Sequence, residues 1–266
     1  MSASLPLDSF AATSRDLRVD ALEVRVFPNQ SEMAAAAAFV AADCLNAAIA
    51  HRDEARAIVA SATSQVQFLA ALTAVADVDW SRVTLFHMDE YLGVSADHPA
   101  SFRRFLREHV TGRIQPRALH LIGGDAPEPL KEIARYQALL EAAPIDLCCL
   151  GIGENGHVAF NDPPVADFDD PHTLKLVQLD EACRRQQVGE GCFPTIADVP
   201  QYAYTLTVPA LCRAHRLVCV VPERRKAVAV RDALRGPIAS SCPASILRRQ
   251  AHATLFLDAE SAELIG

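Results

Sequence analysis

Aromatic side chains are scarce in this sequence, 6% of 266 residues with a single tryptophan, although half of all residues are hydrophobic. The apolar mass is carried instead by stretches such as Met33 to Ala50, where alanine dominates. That balance disfavours an all-β architecture and favours helices packed on a sheet. Positive charge is also short: 25 Lys and Arg stand against 33 Asp and Glu, a formal net charge of -8. Broad electrostatic attraction to nucleic acid or to a membrane surface is thereby excluded, and an anionic ligand needs a local cationic site. No apolar run reaches about 18 residues free of charge and polar breaks, so no membrane span is expected. Met1 to Asp20 has neither the basic nor the apolar region of a secretory signal, which points to a cytoplasmic, soluble protein. The eight cysteines are scattered along a long chain, a distribution that speaks for reduced thiols rather than a disulfide framework. Cys148 and Cys149 are adjacent in an apolar run, where strand geometry turns them to opposite faces and away from a shared metal.

What is present is an alternation of short apolar runs and longer helical patterns. Strands are expected at Leu22 to Phe27, Arg56 to Ala60, Arg82 to Phe86, Ile145 to Leu150, Arg216 to Val221 and Ala253 to Leu257. The intervening helices are the alanine-rich segment ending near Ala50, with Ser31 as its cap, then Gln65 to Ala76, Ser101 to Val110, Pro129 to Ala142 and Glu223 to Leu234. Such alternation predicts an α/β fold: a mostly parallel central sheet flanked by helices on both faces, Rossmann-like, in a single domain over residues 1–266. Ligands then bind beyond the carboxyl ends of the strands, in the loops after Ala60, Phe86, Leu150 and Val221. Asp162 to Thr195 is the least regular stretch and reads as a lid or mobile loop.

Two segments carry chemistry. The first runs from Leu150 to Pro163 and holds Gly151, Gly153 and Gly156 directly after a strand, where glycine lets backbone approach a ligand. Its letters match a dinucleotide fingerprint, but it follows roughly the fourth strand and no ribose-binding acid stands in strand context about twenty residues on, so no nucleotide cofactor is expected. Histidine as a residue type changes charge near neutrality and can be oriented or charged by neighbours, which suits His157, beside Asn155 and Asp162, to proton transfer. The second segment, Phe86 to Gly93, sets Asp89 and Glu90 side by side at a strand end. One carboxylate can face the site while the other anchors the loop, and partial burial raises a carboxylate pKa toward that of a useful base. His87, entering from the strand, reads as a packing residue.

Met88-Asp89-Glu90-Tyr91-Leu92-Gly93 with His98-Pro99-Ala100-Ser101-Phe102, and Gly153-x-x-Gly156-His157-Val158-Ala159-Phe160-Asn161-Asp162-Pro163, resemble the signature stretches of glucosamine-6-phosphate deaminases. The similarity covers most of the chain, continuing through Tyr204-Thr205-Leu206-Thr207, Leu217 to Val221 and Lys226-Ala227 to the region of Asp258. The 6-phosphogluconolactonases share that fold, but typically carry arginine where this chain has Tyr91 and lack the Phe160-Asn161-Asp162-Pro163 ending.

The resemblance implies roles. The proton-shuttling aspartate falls on Asp89 and the ring-opening histidine on His157. The acid supporting the histidine falls on Asp162, a methylene shorter than the glutamate commonly found, and a second carboxylate is replaced by Asn155, which can hydrogen-bond His157 but supplies no charge. The glycine-rich phosphate turn becomes Ser61-Ala62-Thr63-Ser64-Gln65, where Ala62 and Thr63 tolerate φ > 0 poorly. Ser61, Thr63 and Ser64 nevertheless offer hydroxyls at a helix N-terminus, itself an anion site. Lys226 matches the phosphate-binding lysine. The family's phosphate-binding arginine falls near Gln187, with Arg184 and Arg185 upstream. The implied reaction is aldose-ketose isomerisation and deamination of a 2-amino-2-deoxyhexose 6-phosphate, a small phosphorylated sugar, with no metal or nucleotide cofactor. Lactone hydrolysis is the alternative within the enzyme class, and a sugar-phosphate sensor the alternative outside it. A sensor would need a DNA-binding segment, for which the residues before Leu22 are too few. Homo-oligomerisation is left open.

Overall fold

A computed structural model describes residues 14–266; the reading of a missing signal region falls largely on residues 1–13, outside the described part. The strands are β1 (Arg15–Val19), β2 (Leu22–Phe27), β3 (Ala55–Val59), β4 (Val83–His87), β5 (Asp89–Tyr91), β6 (Ala118–His120), β7 (Leu147–Leu150), β8 (Leu174–Gln178), β9 (Tyr202–Leu206), β10 (Arg216–Val221) and β11 (Ala253–Asp258). The α-helices are α1 (Gln30–Arg52), α2 (Val66–Thr73), α3 (Phe102–Leu106), α4 (Pro129–Glu141), α5 (Glu181–Gly189), α6 (Val208–Cys212) and α7 (Ala227–Arg235).

Eight strands form the central sheet in the order β1-β2-β11-β10-β7-β3-β4-β6. Every neighbouring pair is parallel except β1 with β2. Helices cover both faces, and the alternation of strand side chains feeds two cores. On one face Ile58, Phe86, Cys148, Cys219 and Leu255 pack with Tyr136 and Leu140 of α4 and Val230 and Leu234 of α7. On the other, Ala57, Val59, Leu147, Cys149, Val218 and Phe256 meet Ala37, Ala41 and Leu45 of α1 and Phe68 and Leu72 of α2. Cys148 and Cys149 thus lie in different cores, as adjacent strand residues must, and all eight cysteines are free thiols.

α1 is long and apolar enough to cross a membrane by length and composition, although Glu32, Asp43 and Asn46 break its apolar run. Its alanines instead lie flat on the sheet, since a small side chain lets helix and sheet backbones approach closely. The cap differs from expectation too: Asn29, not Ser31, occupies the N-cap, its side chain accepting from the Glu32 N–H at 2.9 Å. Ser31 lies within the first turn.

Three further differences concern the edges and a second, smaller sheet. The first strand is β1, a polar antiparallel edge with three exposed residues whose pattern carries little hydrophobic signal. β5, β9 and β8 form an antiparallel sheet of their own, with Asp89 opposite Thr205 and Thr205 opposite Lys175. Asp162 to Thr195, expected to be irregular, contributes β8 and α5 to this layer. Beneath it Tyr91 packs against Phe102, Phe160 and Phe193, with ring centroids 5.0 to 5.2 Å apart. Four of the chain's scarce aromatics gather here, next to the ligand cleft.

Candidate active site

The loops after β3, β4, β7 and β10 open into one cleft of about 270 Å³, as the sheet topology requires. Its walls include Ser61, Thr63, Ser64, Asp89, Gly153, His157, Gln187, Glu190 and Lys226. Of the residues expected from sequence, Asn155 and Asp162 do not reach the cleft and stand behind His157.

Asp89 begins β5 and is pinned through the β9 ladder, with Leu206 N–H donating to the Met88 carbonyl at 2.8 Å. Burial drives its carboxyl well above the ordinary aspartate range, and the neighbouring Glu90 charge adds to the effect. Glu90 points the other way and anchors the loop: its oxygens accept from Ser101 Oγ at 2.9 Å, the Phe102 and Arg103 N–H groups at 3.2 and 3.0 Å, and Arg103 Nε at 3.3 Å. His87 is a packing residue: Ile122 N–H donates to its Nε2 at 2.7 Å, and burial lowers its pKa to about 3, so it stays neutral.

His157 lies on the glycine loop with Nδ1 2.9 Å from Asp162 Oδ1, although the oxygen sits off the axis of the ring N–H. Burial alone would raise the Asp162 carboxyl; His157, the Asn155 amide at 3.0 Å and the Asp180 N–H at 3.3 Å together hold it below the usual aspartate value. Asp162 is therefore an anion facing Nδ1, which leaves Nε2 as the ring atom available to a ligand. Asn155 acts differently from the sequence expectation: its oxygen accepts from the His157 backbone N–H at 3.1 Å and its amide donates to Asp162, so it braces the loop and the carboxylate, not the imidazole. Gly153 is required by contact. A Cβ there would stand 2.1 Å from the His157 ring.

Cys183 on α5 joins this pair, its thiol within 4.8 Å of the His157 and Asp162 donor atoms. These are metal-ligating residue types. However, the Asp162 oxygens are engaged by His157, Asn155 and Asp180, and burial together with Asp162 pushes the thiol far above its ordinary pKa, so it stays protonated. Asp162 and Cys183 are a buried support packed behind His157. Sequence reading missed Cys183 because its place beside the loop is set by the packing of α5, not by spacing.

The anion end is built from two helix starts. Ser61 and Ala62 lead into a 3₁₀ turn, Thr63–Gln65, that runs into α2 without a side-chain cap. Neither Ala62 nor Thr63 takes a positive φ, Ala62 lying at φ -144°, so the loop reaches its form without the glycine conformation. The left-handed residue is on the facing loop, where Glu223 holds φ +80°. Ser61 Oγ is buried with no partner among the described residues, a donor free for a ligand. Lys226, in the 3₁₀ turn that opens α7, is 2% exposed, lines the cleft, and its ammonium forms no ion pair or hydrogen bond among the described residues. Burial depresses its pKa. Arg184 and Arg185 do not line the cleft: Arg184 donates to the Ile196 and Val199 carbonyls, and Arg185 pairs with Glu181 on the surface. Gln187 does line it, with its oxygen accepting from Tyr91 Oη at 2.6 Å.

Residues 28–256 match the family model described as glucosamine-6-phosphate isomerases/6-phosphogluconolactonase. The chain belongs to this family. Within the isomerase/lactonase family, a glucosamine-6-phosphate deaminase of Exiguobacterium sibiricum is 36% identical over 189 residues, covering 71% of this chain and 73% of the relative. One from Listeria innocua is 33% identical over 189 residues, 71% of this chain and 79% of its own. Among solved structures, a monomeric glucosamine-6-phosphate deaminase superposes with a TM-score of 0.82 at 28% identity, over 91% of this chain and 99% of that one. A 6-phosphogluconolactonase from Shewanella baltica has a TM-score of 0.71 at 19% identity, over 88% and 97%, and shares the fold.

Proposed function

We propose that this chain, acting as one domain, converts a 2-amino-2-deoxyhexose 6-phosphate and water to a ketohexose 6-phosphate and ammonia. The observation that carries the reading is one cleft that holds a buried Asp89 whose carboxyl is raised above the ordinary aspartate range, a carboxylate-backed His157 and a buried Lys226 unpaired among the described residues. In this reading Lys226, Ser61 Oγ and the uncapped amides after Ala62 receive the phosphate. His157 moves a proton from the anomeric hydroxyl to the ring oxygen, opening the pyranose. Asp89 takes the carbon-2 proton and returns it to carbon 1, leaving an imine that water hydrolyses to ketone and ammonia. The resemblance to named deaminases at 33–36% identity favours this over lactone hydrolysis. Incubation with glucosamine 6-phosphate, galactosamine 6-phosphate and 6-phosphogluconolactone, with ammonia and acid followed in parallel, tests it; acid release from the lactone without ammonia from either amino sugar would overturn it.

Two substitutions probe the geometry. Lys226→Ala is expected to raise KM for phosphorylated sugars about 10-fold or more, because a charge-assisted hydrogen bond contributes ~1.5–3 kcal/mol; an equal effect on the unphosphorylated sugar would make the lysine structural. Gly153→Ala should displace the imidazole and lower kcat/KM by about 100-fold, the scale of an ångström's misplacement. Circular dichroism should show the fold intact, since the clash is confined to the His157 ring.

A further inference from the structure

Glu190, just past the end of α5, lines the anion end of the cleft although its own side chain is an anion. Its side chain is only 5% exposed. Oε1 accepts from Arg225 Nη1 at 2.8 Å and Gln186 Nε2 at 2.8 Å, and Oε2 accepts from Thr63 Oγ1 at 3.3 Å. Arg225 is further held by Glu223 at 2.5 Å and Glu154 at 3.3 Å. Beside it stands Lys226, buried and unpaired. The corner meant for a dianion therefore sets the carboxylates of Glu154, Glu190 and Glu223 against the cations of Arg225 and Lys226, and a phosphate entering it unchanged would meet net negative charge at short range.

The geometry offers a resolution. Glu190 spans the Thr63 hydroxyl and the Arg225 guanidinium with its two oxygens, an arrangement that phosphoryl oxygens can reproduce. Resting on the phosphosugar reading above, we propose that Glu190 is an internal anion that holds these donors in the unliganded chain. A substrate phosphoryl group displaces it, and Arg225 becomes the second phosphate-binding cation beside Lys226. This assigns the task that Arg184 and Arg185 cannot perform, with their guanidinium groups engaged away from the cleft. It also accounts for a buried lysine without a partner next to an arginine that has three.

Calorimetric titration with inorganic phosphate at fixed ionic strength tests the assignment. Glu190→Gln, which keeps an acceptor and removes the charge, should bind phosphate about 10-fold tighter than the unaltered chain. Glu190→Asp, which keeps the charge, should stay within about 3-fold of it. Adding Arg225→Gln to Glu190→Gln should abolish the gain. Unchanged or weaker binding by a folded Glu190→Gln, or an equal gain in Glu190→Asp, overturns the proposal. Lys226→Ala in the same titration separates the two layers: if it weakens phosphate binding while Glu190→Gln changes nothing, the anion site stands and the internal anion falls. If Lys226→Ala leaves phosphate binding intact, the site reading fails and takes this proposal with it.

Discussion

Asp89→Asn is expected to lower kcat by about 100-fold or more while leaving phosphosugar affinity within a few-fold, because a positioned base contributes ~10² to 10⁴ and asparagine keeps the shape but not the proton affinity. Burial and Glu90 raise the carboxyl of the unaltered residue, so the ionised base accumulates only above the ordinary aspartate range. The acidic limb of kcat/KM should lie correspondingly high. The same shift has a stability sign. A folded-state pKa above the unfolded one penalises the ionised group at pH values above the folded pKa, and the penalty vanishes below the unfolded pKa. Asp89→Asn should accordingly raise Tm at neutral pH, with the difference closing in acid. A mutant inactive but not stabilised would refute the raised pKa and leave the base, whereas one active at saturation with weakened binding would return Asp89 to substrate positioning.

His157→Gln should depress turnover of ring-closed substrate by ~10² to 10⁴, yet spare carbon-2 proton exchange in a 5-deoxy analogue that cannot form the pyranose. Solvent deuterium uptake followed by mass spectrometry reads the two separately. Asp162 lies against Nδ1 and Asp89 lies on another strand, so removal of the imidazole leaves the carbon-2 base in place. Equal loss of both activities would show that His157 organises the whole cleft; loss of neither would reduce it to loop packing.

The strands of the central sheet that bury both faces were legible because Ile145 to Leu150 or Arg216 to Val221 read as continuous apolar runs. Their order also fixed which loops meet. β5 escaped notice because it consists of Asp89, Glu90 and Tyr91, a sequence that looks like a turn until the facing strand supplies its hydrogen bonds. β8 and α5 are rich in Lys, Gln and Arg, with few buried positions between them, so local pattern could not distinguish them from a mobile loop. The motif residues Asp89, His157, Asp162 and Lys226 were visible as letters. Gln187 was marked only as the place where the family's arginine falls; Cys183 and Glu190 were not seen, since each acquires its place through the docking of α5, and no spacing in the chain encodes that contact. Asn155 shows the reverse limit: the letter was found, but only the backbone geometry reveals that its oxygen is used by a peptide N–H.

Thr205 gives β9 a significance beyond pairing. It faces Asp89 across one ladder, and its hydroxyl accepts from the Phe160 N–H at 3.1 Å, while Asn161 on the same loop donates to the Leu206 carbonyl at 2.8 Å. One strand that need not touch the sugar is thus the common datum from which both proton-transfer groups are measured. Error in β9 is shared by ring opening and isomerisation alike, whereas error at the C-terminal end of α5, where Glu190 sits, falls on the phosphate end. Redesign of substrate preference has its tolerance at that end of the helix, and β9 is the part of the frame to leave unaltered.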